Sequence, residues 1–435
     1  MNLPSAIARA LLGLSVLAFG LSTPVHAQGN VDADRPGEVL LKLRSSDGLA
    51  PLLGRYPLTL VSRFGARPIY RLKIVGTADL KTVVGQLALE PEVMIAETNP
   101  EARSPEARRN QPWAVGDPTA YVTQWALQAM RLPEAQLRTI GAGVRVAVLD
   151  TGIDANHPLF AGRLLPGFDF VDFDNDPSEV GSVVNAGYGH GTHVAGLVTM
   201  VAPGARIMPL RVLDADGVGN AWVLAEALLY AADPDGNPET DDGAHIMNLS
   251  LGSLSRTRIM ATVSQIVSCG LAIVGDPIAD RSDPGYTDDD TRCKRTPGAM
   301  VVAAAGNDGS DNVKEYPAAE GEYGLVSVAA STSSRRLASF SNSGSWIDLA
   351  APGEGITSAA PGGGFATWSG TSMAAPLVTG VGALLRSGVR SIAPKDLVRR
   401  IKRTASVLCG TSITQVDAWA ALTDTRPGSG SCRTR

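Results

Sequence analysis

From Gln124 onward, short apolar runs alternate with stretches of helical spacing. The apolar runs have the length and composition of strands buried on both faces, and they are Val144–Leu149, Ile207–Leu213, His245–Ser250, Met300–Ala305 and Leu325–Ala330. The helical stretches have small-residue or amphipathic faces, and they are His193–Thr199, Ala221–Ala232, Arg258–Cys269 and Ser372–Ser387. The alternation predicts an α/β fold with a doubly wound, mostly parallel sheet and helices on both faces. Ligands are expected beyond the carboxyl ends of its strands.

The segment before this region has a different pattern. Glu38–Leu43, Pro68–Ile74 and Val93–Glu97 alternate like half-buried strands, and Asp79–Leu89 has helical spacing behind an aspartate cap. We expect a small α+β module with one sheet face covered. The following stretch, Asn99–Asp117, is rich in Pro, Glu, Arg and Asn and lacks periodicity, which predicts a linker that is open to proteolysis.

The first residues indicate export. Arg9 precedes the apolar run Ala10–Leu21, and Val25 and Ala27 are small residues at the positions that a signal peptidase reads. We therefore predict a signal peptide over residues 1–27 and a secreted or periplasmic protein. The alternative is a membrane anchor, but the run is shorter than the ~20 residues of a transmembrane helix, so no membrane span is expected after signal removal.

Composition narrows the class of partner and the redox compartment. A chain of 435 residues predicts more than one folded unit. Its net charge of −5, without a basic run interleaved with aromatics, argues against a nucleic-acid partner. The four cysteines are Cys269, Cys293, Cys409 and Cys432. An even number favours disulfides in an exported protein, with the local pairs 269–293 and 409–432 as the most economical pairing, although other pairings and reduced cysteines stay open.

Motifs at the predicted strand ends and helix starts carry the chemistry. They are Val148–Asp154, Gly189–Gly196 and Gly370–Pro376, and their candidate catalytic residues are Asp150, His190 and Ser372. A serine hydroxyl becomes a nucleophile when an imidazole accepts its proton, and a carboxylate on the other ring nitrogen fixes the imidazole tautomer. The chain order Asp, His, Ser is one of the orders in which such triads occur.

In this order and spacing, over Gln124–Leu385, the motifs resemble those of the subtilisin-like serine proteases, the subtilase or peptidase S8 family. The resemblance implies a serine endopeptidase that acts on polypeptides through an acyl-enzyme. It also implies that Asn307, just after the predicted strand Met300–Ala305, donates to the developing oxyanion together with the backbone N–H of Ser372.

The same resemblance implies two edges of a substrate cleft. One edge consists of Ser250, Leu251 and Gly252, and the other contains Gly217 and Gly219. Each edge would pair its backbone with an extended peptide, and glycine allows the close approach that this requires. The alternative is that these are ordinary turn residues.

Glu315, directly before Tyr316 and Pro317, falls where the family forms the floor of its primary specificity pocket. If the carboxylate points inward, it attracts a basic side chain in the residue whose carbonyl is attacked. The alternative is that Glu315 turns to solvent, or pairs with Lys314 or a nearby arginine.

The upstream module resembles the inhibitor-like pro-segments of the family, so the chain is expected to inhibit itself as a precursor. The implied organisation is a signal peptide (1–27), a pro-segment (28–100), a linker with a processing site (101–117), a peptidase domain (118–424) and a polar tail (425–435). Arg103, Arg108 and Arg109 lie where processing is expected. A permanent accessory domain is the alternative.

The chemistry requires no cofactor or metal. His193 follows His190 by one helical turn, but without a third ligand we interpret it as structural. Many relatives bind calcium in a loop for which the run Gly196–Gly204 leaves no room. Calcium binding by Asp283 and Asp288–Asp290 stays possible, although a solvated acidic loop is the commoner outcome.

Other functions remain open at this stage. The same acyl-enzyme could serve a maturation protease with one dedicated partner, or a transpeptidase that resolves it with an amine. A non-catalytic scaffold of the same fold is disfavoured because it would have no physical reason to assemble Asp150, His190, Ser372 and Asn307 together.

Overall fold

The computed structural model describes residues 32–65, 67–109, 113–237, 240–268, 298–321, 324–389 and 391–426. All of these residues belong to one compact unit. The predicted signal peptide, Cys269, Cys293, Cys432 and the acidic residues Asp283 and Asp288–Asp290 lie outside the described residues. The signal peptide, the disulfide pairing and the acidic calcium site therefore stay predictions.

The upstream module is an antiparallel sheet with two helices. Its elements are β1 (Asp34–Leu43), α1 (Leu49–Arg55), β2 (Leu58–Arg63), β3 (Ile69–Ile74), α2 (Leu80–Leu87) and β4 (Val93–Arg103). The strand order is β2-β3-β1-β4. Asp79 caps α2 as predicted by accepting a hydrogen bond from the Thr82 N–H at 2.9 Å. The sequence reasoning missed α1 and β2, whose residues are largely exposed and lack a clear period.

The segment expected to be an irregular linker has regular structure. β4 continues to Arg103, α3 covers Pro105–Arg108, and β5 covers Ala114–Val115. Ser104 caps α3 through a hydrogen bond from the Ala107 N–H, and Pro105 occupies the first turn, where its missing N–H costs nothing. The prediction of an irregular linker from composition was therefore wrong for the end of β4 and for α3.

The remaining strands, in chain order, are β6 (Arg145–Asp150), β7 (Phe168–Asp169), β8 (Arg206–Arg211), β9 (Val218–Asn220), β10 (Ile246–Leu249), β11 (Met300–Ala304), β12 (Leu325–Ser331), β13 (Leu349–Pro352), β14 (Ile356–Ala360), β15 (Gly364–Trp368), β16 (Ser406–Val407) and β17 (Thr414–Gln415). The large sheet has the order β16-β17-β13-β12-β11-β10-β6-β8-β7, and its strands from β13 to β7 are parallel. The predicted parallel strands are confirmed.

The remaining helices, in chain order, are α4 (Pro118–Thr123), α5 (Trp125–Ala129), α6 (Leu132–Gln136), α7 (His190–Val201), α8 (Ala221–Ala232), α9 (Arg258–Ser268), α10 (Thr371–Gly388), α11 (Pro394–Arg403) and α12 (Ala418–Thr423). They cover both faces of the large sheet. In β6, Val146 and Val148 pack with α7 and α10, whereas Ala147 and Leu149 pack with α8 and α9. This alternation follows from the two-residue period of a strand and confirms the doubly wound arrangement. In the part of the chain that the structure describes, no helix is long and apolar enough to cross a membrane.

Candidate active site

Asp150 and His190 meet at the carboxyl end of the parallel sheet. Asp150 is the last residue of β6, and His190 is the first residue of α7. The two side chains are buried, and His190 Nδ1 lies 2.7 Å from Asp150 Oδ1. The Thr151 N–H donates to the same carboxylate oxygen at 2.8 Å, and the Trp368 ring stands edge-on to the imidazole at 5.4 Å. The pair can therefore hold the imidazole in one tautomer and orientation.

Glu179 contacts residues that flank Asp150 and His190, and the sequence did not indicate it as a site residue. Its half-buried side chain accepts hydrogen bonds from the Thr151 and Thr192 hydroxyls and from the Gly189 N–H. Thr151 directly follows Asp150, so one side chain joins the loops that carry both members of the pair. Burial raises the pKa of Glu179, and the threonine hydrogen bonds oppose that rise.

Ser372 lies in the first turn of α10, opposite Asn307. The Asn307 Oδ1 atom accepts hydrogen bonds from the Thr371 N–H and hydroxyl, both at 2.9 Å, so that its Nδ2 group points into the site. The Ser372 Oγ atom lies 3.1 Å from the Ser250 carbonyl oxygen. The candidate nucleophile, the imidazole and the amide donor that the sequence predicted thus surround one small space.

That space holds the side chain of Glu106, which the sequence reasoning missed. Its Oε1 accepts from Asn307 Nδ2 at 2.8 Å, and its Oε2 accepts from the Ser372 hydroxyl at 2.5 Å and lies 3.0 Å from His190 Nε2. Glu106 is completely buried. A Cβ at residue 370 would overlap its Oε1 atom, so a side chain at that position would displace the Glu106 carboxylate.

Glu106 and His190 shift each other's protonation. Burial raises the pKa of Glu106, but the hydrogen bond and charge of His190, with the bonds from Ser372 and Asn307, outweigh it and lower the pKa below its ordinary value. Burial lowers the pKa of His190, but Asp150 and then Glu106 outweigh it and raise the pKa to about 10. His190 is therefore an imidazolium between two carboxylates.

The predicted cleft edges pair with the chain's own β4. Ala102 pairs with Gly219 of β9, so β9 adds a fifth strand to the upstream sheet. On the other edge, the Arg103 N–H donates to the Gly252 carbonyl at 2.8 Å, and the Gly252 N–H donates back at 3.0 Å. The Ser104 N–H then donates to the Gly217 carbonyl at 3.2 Å. Residues 101–103 thus occupy the space between the edges as an extended strand.

The other members of the predicted edge line the same wall. Leu251 is buried, and the Ser250 hydroxyl donates to the Ser372 carbonyl at 2.8 Å. The structure therefore places Ser250, Leu251 and Gly252 between the candidate nucleophile and the strand that occupies the cleft.

Glu315 points inward and binds Arg108 of α3. The guanidinium donates from Nη1 to both carboxylate oxygens, at 3.0 and 2.8 Å, and Glu315 is completely buried. Burial raises the pKa of Glu315 to about 7 even though Arg108 opposes the shift, and Asp32 and Asp308 raise it further. Gly252 and Gly306 provide space for the Glu315 side chain, because a Cβ on either residue would contact that side chain too closely.

The upstream module is attached to the helices beside the cleft. The Glu97 carboxylate accepts from the N–H groups of Arg258 and Ile259, both at 2.9 Å, at the start of α9. The Asn99 side chain accepts from the Trp222 N–H at the start of α8. Phe64 stacks on Trp222, with ring centroids 4.0 Å apart. These contacts hold β4 in register with the cleft edges.

His193 makes contacts that suit a structural residue. It is fully buried on α7, its Nε2 lies 3.1 Å from the Ala366 carbonyl, and the Trp368 ring stands edge-on to it at 5.8 Å. Burial and then the charge of His190 lower the pKa of His193 to about 3, so it is neutral at physiological pH.

The chain belongs to the subtilase family, whose family model matches residues 141–430. It is 33% identical over 352 residues to the thermophilic serine proteinase of Bacillus sp. strain AK1, covering 78% of this chain and 74% of that one. It is 34% identical over 306 residues to thermitase of Thermoactinomyces vulgaris, covering 68% of this chain and 92% of thermitase. The protein is therefore a serine endopeptidase.

Solved structures agree on the fold. The structure of fervidolysin from Fervidobacterium pennivorans superposes with a TM-score of 0.70 at 22% identity, covering 92% of this chain and 62% of fervidolysin. A protease of Pseudoalteromonas arctica PAMC 21717 superposes with a TM-score of 0.57 at 28% identity, covering 72% of this chain and 99% of that one.

Proposed function

We propose that the chain is made as an exported precursor and, once processed, cleaves extended polypeptides through an acyl-enzyme on Ser372. One observation carries the proposal: the Asp150–His190 pair, the Ser372 hydroxyl and the Asn307 amide converge on one point, next to a strand paired with both cleft edges. A peptide that replaced this strand would present a main-chain carbonyl where the carboxylate of the chain's own segment now lies.

The expected reaction has two steps, acylation of Ser372 and hydrolysis of the acyl-enzyme, and the same catalytic groups act in both. Ser372 Oγ attacks the carbonyl carbon while His190 Nε2 takes its proton, and Asp150 stabilises the resulting imidazolium. Asn307 Nδ2 and the Ser372 N–H stabilise the oxyanion. His190 then protonates the leaving amine, and water repeats the sequence to release the acyl group. The backbone pairing at Gly219 and Gly252 accepts any extended sequence, which favours an endopeptidase with broad requirements away from the pocket.

The pocket selects the residue whose carbonyl is attacked. Glu315 is buried, faces the cleft and already accepts hydrogen bonds on both carboxylate oxygens from one guanidinium nitrogen, Arg108 Nη1. We propose that substrates with Arg, and to a smaller extent Lys, at this position are preferred, because Arg matches a carboxylate with two parallel donors.

The remaining parts of the proposal concern maturation. The upstream module occupies the cleft as an intramolecular inhibitor, and processing occurs near Arg103, Arg108 or Arg109. The mature protein is secreted or periplasmic, contains disulfides, and requires no cofactor for its chemistry. Calcium-chelating agents are expected to leave activity intact.

The test compares Ser372→Ala with Ser334→Ala, a control on an exposed turn. The wild type and the control should shorten to a mature form, react with a fluorophosphonate and hydrolyse peptides. Ser372→Ala should stay at precursor length, without label or activity. Labelling of Ser372→Ala, or a folded wild type that neither labels nor hydrolyses peptides, would exclude the proposed mechanism.

A further inference from the structure

The segment that crosses the cleft consists of two parts with different backbone conformations. Residues 101–103 are extended and pair with both edges, as a substrate would. From Pro105 to Arg108 the backbone forms the helical turn α3. The group that reaches Ser372 is consequently a side chain, the carboxylate of Glu106, and a second side chain, that of Arg108, enters the pocket of Glu315.

The two carboxylate oxygens of Glu106 have different partners. Oε1 takes the hydrogen bond of Asn307 Nδ2, the donor expected to stabilise the oxyanion, while Oε2 takes those of Ser372 and His190. A carboxylate has the charge and planar geometry to satisfy all these donors at once. Its carbon, however, is bonded to a methylene and carries no amine that could leave, so Ser372 cannot cleave it.

A purely structural role does not account for this placement. Complete burial of a carboxylate is costly unless every oxygen is hydrogen-bonded. The donors that compensate Glu106 are the side chains of the reaction machinery itself, and glycine at position 370 keeps the necessary space open. The second anchor, Arg108, provides the charge partner of Glu315, which would otherwise be a buried carboxylate without an ion pair to this guanidinium.

We infer that the catalytic centre is a binding site for a side-chain carboxylate, and that Glu106, anchored by Arg108 in the Glu315 pocket, is the ligand that keeps the precursor inactive. The inference rests on the proposed function. Glu106 fills the space that the substrate carbonyl would take, and it accepts the hydrogen bond of the Ser372 hydroxyl. It also pairs with His190, which faces Asp150 on its other nitrogen and lies near neutral His193, so that the imidazole is held protonated and cannot act as a base.

Processing of the full-length precursor tests the inference. Glu106→Gln removes the charge with little change in volume. Glu101→Gln is the matched control, because its carboxylate lies on the same segment but contacts Arg103 instead of the catalytic groups. We expect Glu106→Gln precursor to mature and to react with a fluorophosphonate about 10- to 100-fold faster than wild type. The Glu101→Gln precursor should match the wild type.

A second measurement does not depend on processing. In the uncleavable Ser372→Ala precursor, the ¹⁵N NMR signals of His190 should report an imidazolium at pH 8.5, and in Ser372→Ala/Glu106→Gln they should report a neutral ring. Equal maturation rates for wild type and Glu106→Gln, or a His190 signal unchanged by the second substitution, would overturn the inference while peptide hydrolysis by the mature enzyme continues. Loss of labelling and hydrolysis in every mature chain would overturn the proposed function as well.

Discussion

The edges of the cleft and its catalytic end hold the same segment by different means. At the edges, Ala102 and Arg103 are held by backbone hydrogen bonds that any residue except proline could make. At the catalytic end, Glu106 and Arg108 are held by charged side chains whose identity is essential. Generic backbone contacts therefore bring the segment to the site, and two specific side chains decide that it is kept there uncut.

This difference separates binding from turnover. A change at the edges should alter affinity for substrate and pro-segment alike, because both use the same backbone pairing. A change at the catalytic end should alter turnover, selectivity or inhibition separately. Substitutions at the edges and at the catalytic end should therefore have separable effects on binding and on turnover.

The largest expected effect is at the oxyanion donor. Asn307→Ala should lower kcat about 100- to 1000-fold with little change in KM, because the amide acts on charge that develops only in the transition state. Mature variant enzyme, obtained by processing with wild-type protease, would be assayed at saturating and limiting peptide. A KM effect without a kcat effect would mean that Asn307 contributes to ordinary binding.

Glu315 should control selectivity at the pocket. We expect a ~5- to 150-fold higher kcat/KM for peptides with Arg than for matched peptides with Phe, and loss of that ratio in Glu315→Gln. With Arg108 in the pocket, burial raises the pKa of Glu315 to about 7, and we expect an arginine substrate that fills the pocket in the same way to meet a carboxylate that forms as pH rises. The Arg to Phe ratio should therefore grow between pH 6 and pH 8, whereas the effect of His190 ionisation cancels in the ratio. A ratio that is flat with pH, or retained in Glu315→Gln, contradicts the assignment.

Inhibition by the docked segment should weaken as pH rises. Burial raises the pKa of Glu97 to about 6. Protonation of Glu97 therefore favours docking fully below its ordinary pKa of 4.5, and this contribution is lost as pH rises past 6. The pKa of His190 next to Glu106 is about 10, whereas a pKa of ~7 is expected for the unblocked base. The contribution of the ion pair to the docking equilibrium therefore falls by up to about tenfold for each pH unit above 7.

Glu106 itself acts in the opposite direction, because its pKa is lowered and its contribution is lost only as pH falls below its ordinary value of 4.5. Between pH 6.5 and 8.5, precursor maturation should therefore accelerate more than peptide hydrolysis by the mature enzyme. The Glu106→Gln precursor should lose this extra acceleration. Identical pH profiles for the wild-type and Glu106→Gln precursors would show that the ion pair does not control maturation.

The smallest effect is expected at the edge. Arg103→Ala keeps the backbone N–H and carbonyl that pair with Gly252, so the rate of precursor maturation should change by less than about threefold. Gel analysis beside the Glu106→Gln precursor would measure it. A larger effect would mean that the edge also recognises side chains.

Most of the fold and the site's main groups could be predicted from sequence because their signals are local. Buried strands such as Met300–Ala304 form continuous apolar runs, and Asp150 and His190 stand in short motifs at strand and helix ends. The sequence around Glu315 does not determine where its side chain points, because its inward direction depends on an arginine more than 200 positions upstream.

Glu106 could not be assigned in this way. Ser104-Pro105-Glu106 does carry a local signal, since a capping serine, a proline and an acid are typical of a helix start. That signal predicts α3 but says nothing about its neighbours. The contacts to His190, Asn307 and Ser372 join segments that are 84 to 266 positions apart, and only the folded chain brings them together.

The strand pairing between β4 and β9 has a consequence for the timing of activation. Before any bond is cut, the segment is tethered and its effective concentration at the cleft is high, on the order of millimolar or above. After a cut near α3, the five-stranded sheet and the caps on α8 and α9 remain, so the released module stays bound as a separate molecule. Under the proposed maturation, cleavage would convert a unimolecular block into a dissociable complex, and dilution or digestion of the free module would then be the event that starts proteolysis.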